Sequence, residues 1–364
     1  MKRFIVAVVV LVALAAPAAA SADGGGGGGA VYTLTNSASG NQLVVYARSA
    51  SGKLTWAATR ATGGRGTGAN LGSQGALALS GDHRWLYAVN AASNTISVFA
   101  VDGTQTKLAK VIDSGGAEPI SITEHDGRVY VLNDATPNVV GFRVTSTGLS
   151  AISGGSQPLA AADSGPAQVG FSPDGQHLVV TDKSSNTIDT FAVASDGSLG
   201  PAHSQPSDGG TPFGFAFTPS GTLIVSDANQ APSSAATAYS LASSGQLTSL
   251  SGAIQTNQAA ACWVAVTPDG HFAYTANAGS GTVSGFRVGP GGSLNLLDGN
   301  GVTANIGVGT HPLDEAVSPD GSFFYILADG THQLKGYRIG SGGQLRAVST
   351  VGGLPAGDVS VAVS

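Results

Sequence analysis

Short runs of aliphatic residues, each closed by a polar turn, follow one another along most of the chain. The clearest units lie at residues 169–199 and 264–294. Each contains a run ending in Ser or Thr, a Pro-Asp-Gly turn, an aliphatic strand closing on Asn or Asp, a strand with a central aromatic residue, and Gly-x-Leu. Apolar runs of this kind between turn residues predict β strands. A recurring unit of four such strands is typical of a propeller blade.

The central aromatic residue of the third strand counts the blades. It recurs at intervals of 43 to 53 residues, at Tyr46, Phe99, Phe142, Phe191, Tyr239, Phe286 and Tyr337. Residues 359–364 copy an inner strand with no second strand after it, and residues 30–36 copy a second strand with no inner strand before it. We therefore predict an all-β fold, a seven-bladed β-propeller of four-stranded antiparallel blades. The C-terminal strand is expected to complete the N-terminal blade and so close the ring.

The N-terminal segment has the features of an export signal. Lys2 and Arg3 precede an apolar run over residues 4–16, and Ala20-Ser21-Ala22 has the small-x-small pattern of a cleavage site. The apolar run is too short to span a membrane comfortably. We expect a secreted monomer (extracellular, periplasmic or associated with the cell envelope) that is not inserted in a membrane after signal cleavage. The expected division is a signal peptide at 1–22, a glycine-rich tether at 23–30 and the propeller at 31–364.

Charge and cysteine content narrow the classes of partner and cofactor. The chain has 16 basic and 22 acidic residues, and only 10% of its residues are charged. An acidic chain is a poor match for nucleic acid, so we expect a small molecule or an extracellular protein or glycan as the partner. Cys262 is the single cysteine, which leaves no intramolecular disulfide to form. The sequence has no histidine pair or Cys-x-x-Cys of metal-site spacing, so we expect neither a metal nor a cofactor.

A polar residue ends the second strand of nearly every unit. The series is Asn36, Asn90, Asn133, Asp182, Asp227 and Asn277, with Asp329 displaced by one position. Asn and Asp commonly cap turns by bonding nearby backbone amides, and this interpretation suits a feature that every unit shares. A catalytic residue is expected to break the symmetry. Asp182 and Asp227, acids where most units have Asn, are therefore candidate catalytic residues.

A second group of residues leads into the inner strands, on the face of the disc where we expect a ligand. Its members differ from blade to blade, as those of a grafted site would: Glu118, Gln168, Phe213, Trp263, His311, Asp314 and Glu315. His311 has the chemistry of a general acid or base and is the third catalytic candidate. The others are ligand-binding candidates, although Trp263 would equally fill the channel wall. Glu315 begins a strand that is apolar in other blades, so its charge needs a partner or water.

The repeated unit, from Ser-Pro-Asp-Gly to Gly-x-Leu, resembles the lactonase family of seven-bladed propellers over residues 30–364. That family includes bacterial 6-phosphogluconolactonase and fungal carboxy-muconate cyclase. The resemblance implies a propeller acting on a lactone or related ring, and it matches Asp227 with an acid usual in the family. The family's enzymes have Pro-His leading into one inner strand and Pro-Arg-His into the next. Residues 165–168 (GPAQ) and 211–214 (TPFG) stand there instead, so both histidines and the arginine are missing.

Three functions remain open at this point. The first is a binding or scaffold module of the cell envelope or extracellular space, which the missing family residues and the Asn-rich series favour. The second is a hydrolase or isomerase acting on an unphosphorylated lactone, because the channel is poor in Arg and Lys for holding a phosphate. The third is a metal-assisted hydrolase, which would require Glu118, Asp314, Glu315 and Asp358 to converge on the channel.

Overall fold

The structure, a computed structural model, describes residues 28–146 and 148–364. The expected signal peptide, residues 1–22, and most of the expected tether lie outside the described residues. Within the described ranges, no helix is long and apolar enough to cross a membrane. The strands form seven sheets, which are the blades of a propeller. Three short 3₁₀ segments interrupt them at Ala91–Ser93, Pro290–Gly292 and Asp329–Thr331.

The strands follow one another blade by blade around the ring. Blade 1 contains β1 (Gly29–Leu34), β2 (Gln42–Arg48) and β3 (Leu54–Ala61). Blade 2 contains β4 (Leu77–Leu79), β5 (Trp85–Asn90), β6 (Thr95–Asp102) and β7 (Gln105–Asp113). Blade 3 contains β8 (Pro119–His125), β9 (Arg128–Asn133), β10 (Asn138–Thr145) and β11 (Gly148–Pro158). Blade 4 contains β12 (Pro166–Phe171), β13 (His177–Asp182), β14 (Thr187–Ala192) and β15 (His203–Pro206).

The remaining blades continue the same order. Blade 5 contains β16 (Pro212–Phe217), β17 (Thr222–Asp227), β18 (Ala235–Leu241) and β19 (Leu247–Gln255). Blade 6 contains β20 (Ala261–Val266), β21 (Phe272–Asn277), β22 (Thr282–Val288), β23 (Leu294–Leu296) and the short β24 (Ala304–Asn305). Blade 7 contains β25 (Pro312–Val317), β26 (Phe323–Ala328), β27 (Gln333–Ile339) and β28 (Leu345–Gly352). The last strand is β29 (Val359–Val363).

The two ends of the propeller meet in blade 1. Its strand order is β29-β1-β2-β3, and β29 pairs antiparallel with β1 so that Tyr32 lies opposite Ala362. Arg48 adds a side-chain bond by donating from Nη2 to the Ser364 carbonyl at 3.1 Å. β1 begins at Gly29, so the end of the stretch expected to be a tether is already paired. The predicted all-β, seven-bladed fold and its ring closure are confirmed.

Tyrosines at the centre of the second strands join neighbouring blades. Their rings are fully buried. Four of the hydroxyls donate to a turn carbonyl in the next blade: Tyr32 to Gly103 at 2.6 Å, Tyr130 to Gly197 at 2.5 Å, Tyr274 to Gly343 at 2.8 Å and Tyr325 to Gly52 at 2.9 Å. The hydroxyl of Tyr87 in blade 2 has no hydrogen-bond partner among the described residues. Each of the four bonds contributes about 1 kcal/mol net, in addition to the burial of the ring. These side chains stiffen the ring on which the loops are mounted.

A shift of register recurs near the start of the inner strands. It occurs, for example, between Pro119 and Ser121 and between Pro312 and Glu315. An extra residue at such a bulge changes where the following side chains point. In a regular strand, neighbours point to opposite faces. In β25 the shift leaves Asp314 and Glu315, which are adjacent in sequence, both buried at the centre of the ring.

Candidate functional site

The centre of the ring is occupied by a segment of the chain itself. Residues 62–76 connect β3 to β4, and residues 71–75 of this connection, which we call the channel plug, run across the channel. Gln74 bonds both backbone groups of Val264, with Nε2 donating to the carbonyl at 2.8 Å and Oε1 accepting from the N–H at 3.0 Å. Trp263 donates from Nε1 to the Ser73 carbonyl at 2.9 Å. The segment leading into blade 2 is thereby tied to blade 6.

Further bonds tie the channel plug to blades 3, 4 and 7. They run from the Ser73 hydroxyl to the Ile120 carbonyl at 2.9 Å, from the Gln74 N–H to the Ala167 carbonyl at 3.0 Å, and from the Gly75 N–H to Asp314 Oδ2 at 3.1 Å. The fit also requires Gly214, because a Cβ at that position would lie 2.1 Å from Gln74 Oε1. The channel plug is therefore built into the wall of the ring.

Gln74→Ala is expected to lower the free energy of unfolding by about 2 kcal/mol. Val264 is buried, so removal of the amide leaves its N–H and C=O groups without their partners. Urea unfolding of this variant beside Gln344→Ala, which changes an exposed glutamine, measures the difference. Equal midpoints for the two variants would show that the two bonds of the Gln74 amide to Val264 add nothing to stability.

The face on which the sequence placed a ligand is closed at its centre. Phe213 and Trp263 pack edge to face with their ring centroids 5.1 Å apart, and they are 7% and 2% exposed. The Lys183 ammonium lies 5.0 Å from the Phe213 centroid and donates to the Gly72 carbonyl in the channel plug. Trp263 thus fills the channel wall, and both rings are covered by neighbouring groups.

Gln168 links two inner strands. Its Nε2 donates to the Phe215 carbonyl at 3.0 Å, and its Oε1 accepts from the Phe215 N–H at 2.7 Å. Both ends of the amide are therefore engaged, in the same way that Gln74 engages Val264. The side chain holds blade 4 to blade 5 at the channel.

Glu118 and His311 lie at the rim of the closed face. Glu118 is half-buried and His311 is exposed. Both have left-handed backbone, with φ of 58° and 42°. Among the ion pairs of the described residues, none joins His311 to a carboxylate. His311 is thus exposed to solvent, whereas Asp314 and Glu315, a few residues further along the chain, are buried.

Most of the polar residues that end the second strands have a hydrogen-bond partner close to them in the same part of the ring. At Asn36 the partner is a backbone amide, as expected, because Oδ1 accepts from the Thr67 N–H at 3.1 Å. In three other blades the partner is a third-strand hydroxyl: Asn90 with Ser97 at 2.8 Å, Asn277 with Ser284 at 2.9 Å and Asp227 with Thr237 at 2.7 Å. Burial raises the pKa of Asp227 to about 7. Asp227 thus fills the same structural position as its Asn counterparts.

Asp182 differs from this series because an acid occupies its partner position. The register of β13 and β14 places Asp189 where blade 2 has Ser97 and blade 6 has Ser284. Both acids are buried, and neither carboxylate oxygen of Asp182 has a partner in hydrogen-bonding geometry. Burial, followed by the charge of Asp189, raises the pKa of Asp182 to about 8, and the Ser164 hydroxyl opposes the rise. Asp182 is therefore mainly a neutral acid at pH 7.

Asp314 and Glu315 form a buried acid pair against the channel plug. Asp314 Oδ2 accepts from the Gly75 N–H at 3.1 Å, and Oδ1 accepts from the Glu315 N–H at 2.8 Å. Glu315 is 3% exposed, and neither of its oxygens has a hydrogen-bond partner. Burial raises the pKa of Asp314 to about 6. Burial and then the Asp314 charge raise the pKa of Glu315 well above its usual value. Asp314 is therefore the member of the pair whose ionised form is stabilised by hydrogen bonds from backbone amides.

A cavity of about 400 Å³ leads from this acid pair toward the other face of the disc. We call it the channel cavity. Gln74 and Gly75 of the channel plug lie at its inner end, and Ser172-Pro173, in a Pro-Asp-Gly turn, lies at its outer end. The ends of β8, β12 and β16 form its walls. This cavity opens on the face of the Pro-Asp-Gly turns, opposite to the face on which the sequence predicts a ligand.

Among the described residues, no group of three or more His, Cys, Asp or Glu side chains is arranged to hold a metal ion. Of the four acids that the metal-assisted interpretation required, only Asp314 and Glu315 lie together. Asp358 is buried elsewhere. Burial, followed by the charge of Asp329, raises the pKa of Asp358 to about 8. Glu118 lies on the rim.

Comparison with known proteins covers nearly the whole propeller. A family model described as a lactonase with a seven-bladed β-propeller matches residues 32–154, 149–261 and 228–358. No curated protein matches the sequence at a significant level.

Solved structures of low sequence identity share the fold. A candidate 6-phosphogluconolactonase from Bacteroides uniformis superposes with a TM-score of 0.76 at 18% identity, over 93% of this chain and 100% of that one. A protein from Lactobacillus plantarum gives 0.75 at 19% identity, over 93% and 99%. The periplasmic gluconolactonase of Pseudomonas aeruginosa gives 0.69 at 19% identity, over 92% and 99%. At these identities, the superpositions speak for the architecture alone.

Proposed function

The chain belongs to the lactonase family of seven-bladed β-propellers, and from this premise we propose that it hydrolyses an uncharged lactone in the channel cavity. The observation that carries the proposal is the acid pair at the inner end of that cavity. Glu315 lines that cavity with two buried, unpartnered carboxylate oxygens, and backbone amides hold both oxygens of Asp314 beside it. Two acids with separated pKa values supply the base and the acid that ester hydrolysis needs.

The pKa shifts assign the two roles. Asp314, with a pKa of about 6, is ionised at neutral pH and serves as the base. Glu315, whose pKa burial and the Asp314 charge raise well above its usual value, keeps its proton and serves as the acid. Asp314 removes a proton from water as the water oxygen attacks the lactone carbonyl. Glu315 protonates the ring oxygen as the ring C–O bond breaks. The proton on Asp314 then passes to Glu315, which restores both groups and leaves a hydroxy acid.

The lining of the channel cavity supports an uncharged substrate. No Lys or Arg is among the described residues that line it; its ionisable side chains are one histidine, His125, and three acids, Glu124, Asp314 and Glu315. Phosphate groups are bound mainly by Arg, Lys and clustered backbone amides. An acidic, cation-poor cavity disfavours a phosphorylated sugar lactone and admits a neutral ring.

The proposal includes a location outside the cytoplasm. It is supported by Lys2 and Arg3, by the short apolar run that follows, and by the small-x-small pattern at residues 20–22. An unphosphorylated substrate is consistent with this location. Recovery of a mature chain beginning near Asp23 from the periplasm or medium of an expressing cell tests it, and an uncleaved chain retained in the cytoplasm would count against it.

A second candidate function is ligand binding without turnover, as a module of the envelope or the extracellular space. The observation that favours it is the loss of the family's polar residues at Gln168 and Phe213, both of which have structural contacts here. The acid pair would then hydrogen-bond a neutral ligand in the channel cavity. The two candidates share a site and differ in whether the ligand is consumed.

Proton release from a panel of lactones tests the proposed function. The panel contains glucono-δ-lactone, δ-valerolactone and γ-butyrolactone, with the phosphorylated gluconolactone as the charged comparison. Saturable turnover of at least one uncharged lactone is expected, with slower turnover of the phosphorylated one. If no uncharged lactone is turned over by protein whose near-ultraviolet circular dichroism shows a packed fold, the hydrolase proposal fails. Calorimetric binding of the same lactones would then support the second candidate.

A further inference from the structure

A groove on the outside of the ring lies between blade 1 and blade 7. Its volume is about 630 Å³, and it shares no lining residue with the channel cavity. Blade 1 contributes six residues and the end of blade 7 contributes residues 351–355. The blade 1 residues are Thr35, Gln42, Val44, Tyr46, Trp56 and Thr59. We call this surface the blade 1–7 groove. Nothing in the proposed hydrolysis uses it.

An exposed tryptophan distinguishes the blade 1–7 groove from the other surfaces. Trp56 is 61% exposed. Its Nε1 donates to the Thr59 hydroxyl at 3.3 Å, which orients the indole on β3. Trp56 stands two positions after the leucine that follows the third strand in each repeat. At that position the other blades have Lys110, Ala151, Pro201, Ser249, Leu296 and Ala347. A large aromatic surface left in water and held in orientation is typical of a binding site and is not required by the blade repeat.

The pairing of β2 with β3 arranges the groove around this tryptophan. Tyr46 lies opposite Trp56, and Val44 lies opposite Thr59. Tyr46 and Val44 are buried and form the floor, whereas Gln42 is exposed at the start of β2. An indole face, a hydroxyl and an amide therefore line one side of the groove.

The lining also lacks charge. No Asp, Glu, Lys, Arg or His is among the described residues that form the groove. An anionic or cationic ligand would find no compensating group there. A neutral sugar has the complementary chemistry, because the C–H face of a pyranose packs on an aromatic ring while its hydroxyls bond amides and hydroxyls. We infer that the blade 1–7 groove binds a neutral oligosaccharide.

Calorimetric titration with cellohexaose, maltohexaose, laminarihexaose and chitohexaose in its acetylated form tests this inference. At least one of them is expected to bind saturably to the wild-type protein. Trp56→Ala is expected to weaken that binding by roughly tenfold or more, since a central Trp commonly dominates such contacts. Val308→Ala removes another exposed apolar side chain, 99% exposed and outside the groove lining, and should bind as the wild type does.

Several results would overturn the inference. The inference is wrong if none of the four sugars binds, or if Trp56→Ala and the wild type bind equally well. Equal binding of hexagalacturonate would contradict the preference for an uncharged ligand. Wild-type self-association that Trp56→Ala abolishes, measured by sedimentation, would assign the groove to a second copy of the chain. Lactone turnover measured on the same variants stays at the wild-type level whether or not sugar binds, so the two proposals fail separately.

Discussion

Glu315→Gln is expected to lower kcat/KM for lactone hydrolysis by about a hundredfold or more, because the amide cannot give a proton to the leaving ring oxygen. Burial and the Asp314 charge raise the pKa of Glu315 well above its usual value and so favour its neutral form, which an amide imitates. Gln also keeps the shape of the side chain. The variant should therefore fold like the wild type. Asp163→Asn, which removes an exposed carboxylate from a loop, serves as the matched control and should retain full activity.

The pH profile of kcat/KM separates this catalytic role from a structural one. Activity of the wild type should fall as the pH drops below about 6, because Asp314 then binds a proton and is no longer a base. It should fall again at high pH, where Glu315 loses its proton. Glu315→Gln should keep the acid limb and lose the alkaline one. A variant with the activity and profile of Asp163→Asn would exclude Glu315 as the acid.

Asp182→Asn is expected to raise the free energy of unfolding at neutral pH by about 3 kcal/mol. The wild type buries a second acid beside Asp189, without a hydrogen-bond partner, and must keep a proton on it to do so. An amide needs no such proton. It would donate to Asp189 as Asn90 donates to Ser97 in blade 2.

The sign of this effect follows from proton linkage. The folded-state pKa of Asp182, about 8, lies above the unfolded value of about 3.9, so the folded state binds more protons between these limits. The stabilising contribution of the bound proton is complete below about pH 4 and is lost as the pH rises through about 8. Denaturant unfolding between these limits should show that slope in the wild type and in Asp163→Asn, and a shallower slope in Asp182→Asn. A loss of stability in Asp182→Asn would contradict the prediction.

The architecture follows from local patterns in the sequence. Three local features indicate it: the Pro-Asp-Gly turns, the aromatic residue of each third strand, and the displaced strand at residues 359–364. The first two depend on contacts within one blade, and the third on the closure of the ring. Such signals survive without tertiary information because each depends on a turn or on strand periodicity. The buried tyrosines that join blades belong to the same repeat, although their bonds to turn carbonyls, such as Tyr325 to Gly52, require the ring to be assembled.

The centre of the ring was harder to predict. The glycines of residues 63–75 were the available signal for the channel plug, but glycine-rich stretches also form ordinary loops. The partner of Gln74, Val264, is 190 residues away in sequence, and no periodicity connects the two. The sequence marks Glu315 as a charge in a strand that is apolar elsewhere, yet the side of the disc that Asp314 and Glu315 face depends on the bulge in β25 and on the channel plug. Both are tertiary features.

The channel plug closes the central channel of the propeller on one side. A ring of blades without one would be a passage with two mouths, through which a substrate could arrive from one side and a product could depart on the other. Here Gln74 and Gly75 seal one side, so the cavity is a well. Arrival and departure share a single mouth, and a hydroxy acid that has not left obstructs the next lactone. If the proposed hydrolysis takes place in this cavity, competitive inhibition by the hydroxy acid product is therefore expected.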